Sequence, residues 1–260
     1  MNKYLMRDAA PFGDEGWARI DEMVVRVLKK VMVGRRFIPM VGPLGWGIEV
    51  VPFAGFTSEN GAAAVKETTE YKPLESVTSN FLVRAKQLAV ADATRFGVDM
   101  GAVAIAATEF AKAEDKKLIK KGLLAVAQEA KLGDWDNVNE PFQAVADAMA
   151  AMRTSGVDGP YALVMSPAQY AKLVGLSHGQ GMRREIDMVE KLATAGVFQY
   201  AGMADDQVLL VSPQAWNLDF VVGQDAVTAY FGNEGLDHVF QIMETLVLRI
   251  KRPEAVLLLK

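Results

Sequence analysis

The sequence contains no cysteine and only two histidines. Without cysteine the chain cannot form a disulfide, a thiolate zinc site or a thiol nucleophile, and this composition fits a reducing compartment. The histidines, His178 and His238, are far apart and form no His-x-x-x-His pair. We therefore expect neither a zinc enzyme nor a bound metal.

The sequence also lacks an excess of charge of one sign and lacks a long apolar run. Its 28 basic and 32 acidic residues leave a net charge of -4, whereas nucleic-acid binding usually needs a concentrated excess of Lys and Arg. The first residues contain no apolar stretch typical of a signal peptide, and no uninterrupted apolar run approaches the roughly 20 residues that span a bilayer. We therefore expect a cytoplasmic protein that binds neither nucleic acid nor membrane.

Apolar residues make up 51% of the sequence, and near the start of the chain they recur at the spacing of one helix face. Asp14 is the candidate N-cap and Gly34 ends the pattern, so we predict a helix over residues 14–33. Its apolar stripe is wider than packing against one partner requires, which indicates that a second surface covers its other side. The stripe consists of Trp17, Ile20, Met23, Val24, Val25, Val27, Leu28, Val31, Met32 and Val33.

A β-hairpin is predicted after the glycine-rich turn at residues 42–47. Residues 48–56 are typical of a strand, Asn60-Gly61 is a strong hairpin turn, and a polar segment returns towards Pro73. A lone two-stranded ribbon is only marginally stable in water. We therefore expect this ribbon to lie along another subunit.

The rest of the chain predicts a long helix, a compact α/β unit and a strand-rich end. Alanine-rich sequence predicts a spine helix over residues 100–130, and a last strand at 255–259 is expected to return to the sheet beside it. Period-two alternation through residues 240–250 predicts a long strand. The remaining predictions are helices at 141–154, 167–174 and 183–194 and strands at 161–165, 207–212, 218–222 and 227–231.

No arrangement typical of an active site is found. The acidic pairs Glu114-Asp115 and Asp205-Asp206 are sequence neighbours, whose side chains point apart on a helix or a strand, so we interpret both as solvated or ion-paired. The glycine-rich turn lacks the Lys-Ser/Thr ending of a phosphate loop, and no Gly-x-Ser-x-Gly occurs. Glu244 interrupts the apolar face of the long strand, where a carboxylate is either paired with a base or lies at an interface, and we interpret it as paired with a base.

Several short segments occur in an order and with a spacing that are specific when taken together. They are Ala10-Pro11-Phe12, Trp17-Ala18-Arg19-Ile20-Asp21, Gly34-Arg35-Arg36-Phe37, Gly42-Pro43-Leu44-Gly45-Trp46, Gly159-Pro160-Tyr161-Ala162-Leu163-Val164, Gly223-Gln224-Asp225, and Glu244-Thr245 with Pro253-Glu254-Ala255. Together they span almost the whole chain. They resemble the shell proteins of encapsulins, once described as linocin-type bacteriocins, which share the fold of tailed-phage major capsid proteins.

The resemblance implies an α+β fold of the major capsid type. It implies an N-terminal arm and interior helix at 1–46, an extended hairpin loop at 47–75, a peripheral domain with the spine helix at 76–132 and 216–260, and an axial α/β domain at 133–215. Because the chain is short and has no insertions, the implied assembly is the smallest icosahedral shell, about 60 copies in a closed point group. Larger shells stay open as an alternative.

The resemblance also implies a docking site for a guest enzyme. In such shells a C-terminal peptide of the cargo binds an interior groove between the N-terminal helix and the peripheral domain. Val27, Leu28 and Val31 are the candidate apolar contacts and Arg35 is the candidate polar anchor, with ordinary core packing as the alternative for each. The implied cargo is a ferritin-like iron-storage protein, a dye-decolourising peroxidase or another redox protein.

A pore is the second implied feature. The loop at 176–182 resembles the axial-domain loop that lines the fivefold pore, which makes candidates of Ser177, His178, Gly179 and Gln180. Some relatives bind a flavin against a tryptophan just after the extended loop. Alignment on Phe81 places Lys86 there, so neither flavin nor another cofactor is predicted.

Three functions follow from these patterns. The first is a shell subunit that encloses cargo and performs no catalysis itself. The second is a phage or prophage capsid protein, which often carries a long N-terminal scaffolding segment, whereas the segments listed above begin within the first twenty residues. The third is a soluble enzyme, such as a hydrolase, whose chemistry is hidden among scattered Asp, Glu and Ser residues. The sequence favours the first.

Overall fold

The computed structural model describes residues 2–59, 62–65, 69–94, 97–177 and 184–260. The α-helices are α1 (Asn2–Leu5), α2 (Asp14–Val31), α3 (Ala85–Ala93), α4 (Gly101–Asp115), α5 (Leu124–Val126), α6 (Glu140–Thr154), α7 (Pro167–Gly175) and α8 (Glu185–Leu192). The strands are β1 (Met40–Val41), β2 (Val50–Phe53), β3 (Phe56–Glu59), β4 (Ala62–Val65), β5 (Glu70–Pro73), β6 (Glu75–Val83), β7 (Gln128–Ala130), β8 (Ala162–Met165), β9 (Gly196–Gln199), β10 (Val208–Val211), β11 (Leu218–Val222), β12 (Val227–Glu234), β13 (Asp237–Ile250) and β14 (Val256–Leu259).

The predicted N-terminal helix is confirmed as α2. It begins at Asp14, and its N-cap is Gly13, so the prediction that Asp14 is the cap is wrong by one position. The helix packs against α4 through a face with the spacing i, i+3 and i+4. The residues buried on this face are Trp17, Ile20, Val24 and Leu28.

The predicted spine helix is shorter than expected and changes its geometry halfway. After α4 the chain continues as a π-helix, Lys116–Leu123, and then as α5, so the spine covers residues 101–126. The prediction that residues 128–130 are helical is wrong. They form β7, which pairs in parallel with β14. Lys116, Lys120 and Lys121 are exposed, while Lys117 is half-buried and pairs with Glu75.

The first sheet is built around β13, the long strand that the alternation predicts. Its order is β1-β11-β13-β12, and β6, which was not predicted, also pairs antiparallel with β13. Aromatic side chains fill the space between this sheet and α2. Phe240 stacks on Phe81 with ring centroids 5.1 Å apart, and Trp17 meets Phe240 edge-on at 5.6 Å.

The second sheet has the order β7-β14-β10-β8-β9. The alternating helices and strands predicted between residues 141 and 212 are confirmed by α6, α7, α8, β8 and β10, and Ser166 caps α7 by accepting from the Gln169 N–H. The last strand returns as predicted, but to this second sheet, where β14 lies between β10 and β7. This sheet therefore joins residues from both sides of the predicted boundary at 215.

Candidate functional site

The described residues between positions 50 and 73 form two separate antiparallel ribbons. β2 pairs with β5, and β3 pairs with β4. Among the described residues, neither ribbon pairs with a strand of the two larger sheets. The predicted Asn60-Gly61 turn lies outside the described residues. We call residues 50–73 the extended loop.

The extended loop and the segment before it expose many apolar side chains. Large exposed apolar patches on a folded chain are typical of protein interfaces, because leaving this area in water forgoes about 25 cal/mol per Å². Two open cavities, of about 400 and 560 Å³, lie where the loop meets the body, and Lys72, Ile250 and Pro253 line both. The exposed apolar residues are Met40, Val41, Leu44, Trp46, Ile48, Val50, Phe56, Val65 and Tyr71.

The predicted docking residues on α2 have different environments. Leu28 is buried in the core, whereas Val27 and Val31, one helical turn apart, are half-buried at its edge. Val25, on another side of the helix, is 48% exposed. Part of the wide apolar stripe is covered within this chain, because Met32 and Val33 lie beyond the end of the helix and are buried there. Docking at Val27, Leu28 and Val31 stays a prediction.

Arg35, the predicted polar anchor, binds three carboxyl groups of its own chain. Its Nε donates to Glu114 Oε1 at 2.9 Å, its Nη1 to Asp225 Oδ1 at 2.9 Å and its Nη2 to Glu244 Oε1 at 2.6 Å. The interpretation of Glu244 as paired with a base is confirmed. Anchoring a guest peptide with Arg35 would therefore require giving up one of these ion pairs.

Asp115 holds the segment between α2 and Arg35. Its carboxylate accepts from the Val33 N–H at 2.9 Å and from the Gly34 N–H at 2.7 Å. Gly34 allows this approach, because a Cβ on it would lie 2.9 Å from the Leu118 side chain and 3.3 Å from Asp115 Oδ1. Asp115 therefore binds two backbone N–H groups, and the neighbouring Glu114 binds the Arg35 guanidinium.

Burial and neighbouring charges shift the pKa of the groups in this cluster. Burial acts to lower the pKa of Arg35, but the carboxyl groups of Glu244 and Glu114 outweigh it, so the pKa is raised. Burial raises the pKa of Glu244 far above its usual range, with Glu114 adding to the rise and Arg35 opposing it. Burial also raises the pKa of Asp115 to about 6, against the Gly34 and Val33 N–H groups, which lower it.

The sequence identifies Glu114 only as half of an acidic pair and does not link it to Glu244. A signal was present, because Glu114 stands four residues after Phe110 and four before Leu118, on a face that is buried throughout. Asp225 belongs to one of the segments that carry the family resemblance, as do Arg35 and Glu244. The fold brings these three distant segments to one point.

Only part of the predicted pore loop can be located. Ser177 forms an isolated antiparallel bridge with Arg184, while His178, Gly179 and Gln180 lie outside the described residues. The end of this loop is held by Glu185, whose carboxylate accepts from the backbone N–H groups of Asn139 and Phe142, at 3.2 and 3.1 Å, at the start of α6.

Other candidate sites are not assembled by the fold. In the part of the chain that the structure describes, no three His, Asp or Glu side chains are grouped to hold a metal ion. His238 Nδ1 lies 2.9 Å from the Tyr230 hydroxyl in the β12–β13 hairpin. Lys86 is exposed on α3, beside a cavity of about 280 Å³. Among the described helices, none is long and apolar enough to cross a membrane.

Known proteins match this chain over almost its whole length. The family model described as "Encapsulating protein for peroxidase" covers residues 1–247. The type 1 encapsulin shell protein EncA of Myxococcus xanthus is 30% identical, with 98% of this chain and 96% of that protein aligned. A ferritin-like-encapsulin shell fusion protein of Pyrococcus furiosus is 28% identical, with 78% of this chain and 56% of that protein aligned.

Solved structures confirm the predicted α+β major-capsid fold. A virus-like particle from Pyrococcus furiosus matches with a TM-score of 0.82 and 23% identity, covering 95% of this chain and all of that chain. A phage capsid matches with a TM-score of 0.60 and 13% identity, over 88% of this chain and 91% of that chain. At these identities the structures establish the fold, while the family model and the shell-protein relatives establish the family: this chain belongs to the encapsulin shell proteins.

Proposed function

We propose that this chain is the subunit of a closed icosahedral shell, a protein compartment that encloses a guest enzyme and performs no catalysis itself. The observation that carries the proposal is the extended loop: among the described residues neither of its ribbons has a strand partner in the two larger sheets, and several of its apolar side chains are exposed. A neighbouring subunit would supply this partner. The shell-protein relatives favour this function over a phage capsid and over a soluble enzyme.

The first test is the size of the purified particle. About 60 copies of a 28.3 kDa chain should sediment as a megadalton species and appear as hollow spheres by electron microscopy. A monomer or small oligomer under native conditions would contradict the proposal. Nucleic acid packed inside the particles would point to a capsid instead.

The second test separates assembly from folding. Phe56 and Val65 face each other across β3 and β4 and are both exposed. Changing both to Ser should leave far-ultraviolet circular dichroism unchanged but shift the sedimentation profile to small species, because interface area is lost. Glu70→Gln, an exposed change on the same loop, is the matched control and should assemble normally. Normal assembly of the double variant would contradict the proposed role of the loop.

For guest docking we propose the half-buried edge of α2, where Val27 and Val31, with Leu28 beneath them, contact a C-terminal guest peptide and Arg35 is its polar anchor. The ferritin-like fusion relative supports a ferritin-like guest. The probe is a fluorescent reporter fused to the C-terminal segment of a ferritin-like protein, the guest class that this relative supports. Val27→Thr and Val31→Thr keep the side-chain shape and should lower the co-purified reporter several-fold.

Val25→Thr is the control for docking, because Val25 lies on another side of α2. It should retain the reporter, and equal loading of all three variants would contradict the docking surface.

We also propose that the loop at 177–180 lines a pore, that the domain limits are those that the resemblance implies, and that the compartment is cytoplasmic. This location rests on the sequence expectation alone.

A further inference from the structure

Glu114 and Glu244 bring two carboxyl groups into one buried site. Glu114 is 0% exposed and Glu244 is 1% exposed, and they come from different elements, the last turn of α4 and the middle of β13. Both carboxyl groups bind one guanidinium, with Glu114 Oε1 accepting from Arg35 Nε at 2.9 Å and Glu244 Oε1 accepting from Arg35 Nη2 at 2.6 Å. Two ionised carboxylates that share one guanidinium in a buried site repel each other, which favours a proton on one of them.

The surrounding charges do not neutralise both carboxylates. Arg35 contacts both acids, and its remaining donor group binds Asp225, so one guanidinium faces three carboxyl groups. Asp115, the residue after Glu114, adds a further acid that binds backbone N–H groups. In the described part of the chain, Arg35 and Asp225 are the charged groups that act on Glu244 besides Glu114, while Arg36 and Tyr200 interact with Asp115.

Glu244 Oε2 is the atom that can carry the proton. Oε1 accepts from Arg35 Nη2, whereas Oε2 is buried and has no donor among the described residues. A buried acceptor without a donor is unfavourable. Protonation would make Oε2 a donor towards the Glu114 carboxylate, which removes the unsatisfied acceptor and the repulsion together.

We propose that Glu114 and Glu244 share one proton at neutral pH, and that losing it at alkaline pH releases residues 32–36 from the spine and from β13. The pair then acts as a proton-operated latch on the end of α2. With both acids ionised, one guanidinium can no longer compensate the buried negative charge. At this point Glu114 and Asp115 connect the segment that carries Arg35 to the spine, so a change of charge on the pair acts directly on that connection.

The direction of the pH effect follows from linkage. The pKa of Glu244 is raised above its ordinary value of 4.5 by burial and by Glu114, so the latched state holds a proton that the released state loses. The latch is fully favoured below about pH 4.5 and weakens as the pH rises towards the raised value. One bound proton changes the latching constant up to tenfold per pH unit.

The first experiment detects the proton directly on the assembled protein. The infrared carbonyl band of a protonated carboxylic acid should be present in D₂O at about pH 8, where Asp115 is ionised because its pKa is about 6. Glu114→Gln and Glu244→Gln should each remove the band, and Glu109→Gln, at an exposed position on the same helix, should keep it. Absence of the band from the unmodified protein would overturn the proposal without any variant.

The second experiment tests release. Hydrogen exchange of the Val33 and Gly34 amides, corrected for intrinsic rates, should lose protection up to tenfold per pH unit between about pH 7 and 9 in the unmodified protein and in Glu109→Gln. In Glu244→Gln, which has no proton to lose, protection should stay constant. Equal pH dependence in the unmodified protein and Glu244→Gln would overturn the latch even if the infrared band is present.

Discussion

Arg35 and Glu244 are 209 positions apart in the sequence, and Arg35 Nη2 donates to Glu244 Oε1 at 2.6 Å. This ion pair joins the segment that follows α2 to the long strand β13. Both Glu244 and the second acid, Glu114, are withdrawn from solvent, so the charge of Arg35 compensates charges that water cannot reach.

Removing the guanidinium should therefore destabilise the chain strongly. We expect Arg35→Met to lower the free energy of unfolding by about 3–5 kcal/mol, because buried carboxyl groups are left unpaired. Urea unfolding at fixed protein concentration measures this loss. Arg36→Met is the control, since Arg36 is exposed and donates to the Lys30 carbonyl oxygen. A similar, small effect of both changes would contradict the assigned role of Arg35.

Asp115 should make stability depend on pH in the acid range. Its pKa is raised from 3.8 to about 6, so the folded state binds its proton more tightly than the unfolded state does. The resulting stabilisation is complete below about pH 3.8 and is lost as the pH rises through about 6. Between about pH 3.8 and 6 the unfolding free energy of the unmodified protein should therefore fall as the pH rises. Asp115→Asn should reduce the slope of this fall by up to about 1.4 kcal/mol per pH unit.

The measurement is urea unfolding at several pH values, with Asp92→Asn, an exposed change on α3, as the control. The contribution of Glu244 is common to all three proteins and cancels in the comparison. Parallel stability curves for the unmodified protein and Asp115→Asn would show that Asp115 does not titrate differently on folding.

Phe240 should be the most costly aromatic residue to truncate. It is fully buried and its ring contacts those of Phe12, Trp17, Phe81 and Tyr230. We expect Phe240→Ala to cost about 3–5 kcal/mol in urea unfolding, from lost burial and the cavity left behind. Phe231→Ala removes the same group from an exposed site in the same hairpin, and a comparable loss there would contradict this ranking.

Glu185 should stabilise the start of α6. Its buried carboxylate accepts from the Asn139 and Phe142 N–H groups, so Glu185→Ala leaves these part-buried donors without their acceptor and should cost about 1 kcal/mol or more. Thermal or urea unfolding gives the value. Glu190→Ala, at an exposed position on α8, should change stability by less than about 0.5 kcal/mol. Equal effects would exclude the capping role.

The elements that the sequence predicts well are those with a strong local pattern. α2 follows from one apolar helix face, and β13 follows from alternation. β6 was not predicted although it buries Val77, Phe81 and Val83 on one face, because Ser79 interrupts the apolar alternation on that face. The spine ends earlier than predicted, because residues 128–130 form a strand that pairs with β14 and do not continue the helix.

The sequence by itself determined the apolar helix face, the long alternating strand, the absence of thiol chemistry and the family, because each depends on residue types or on spacing along the chain. Only the tertiary structure decided which sheet receives the last strand and which acids meet Arg35. These contacts join residues 79, 190 and 209 positions apart. No local pattern encodes such distances, since they arise only when the spine, the loop before β12 and β13 pack around one guanidinium.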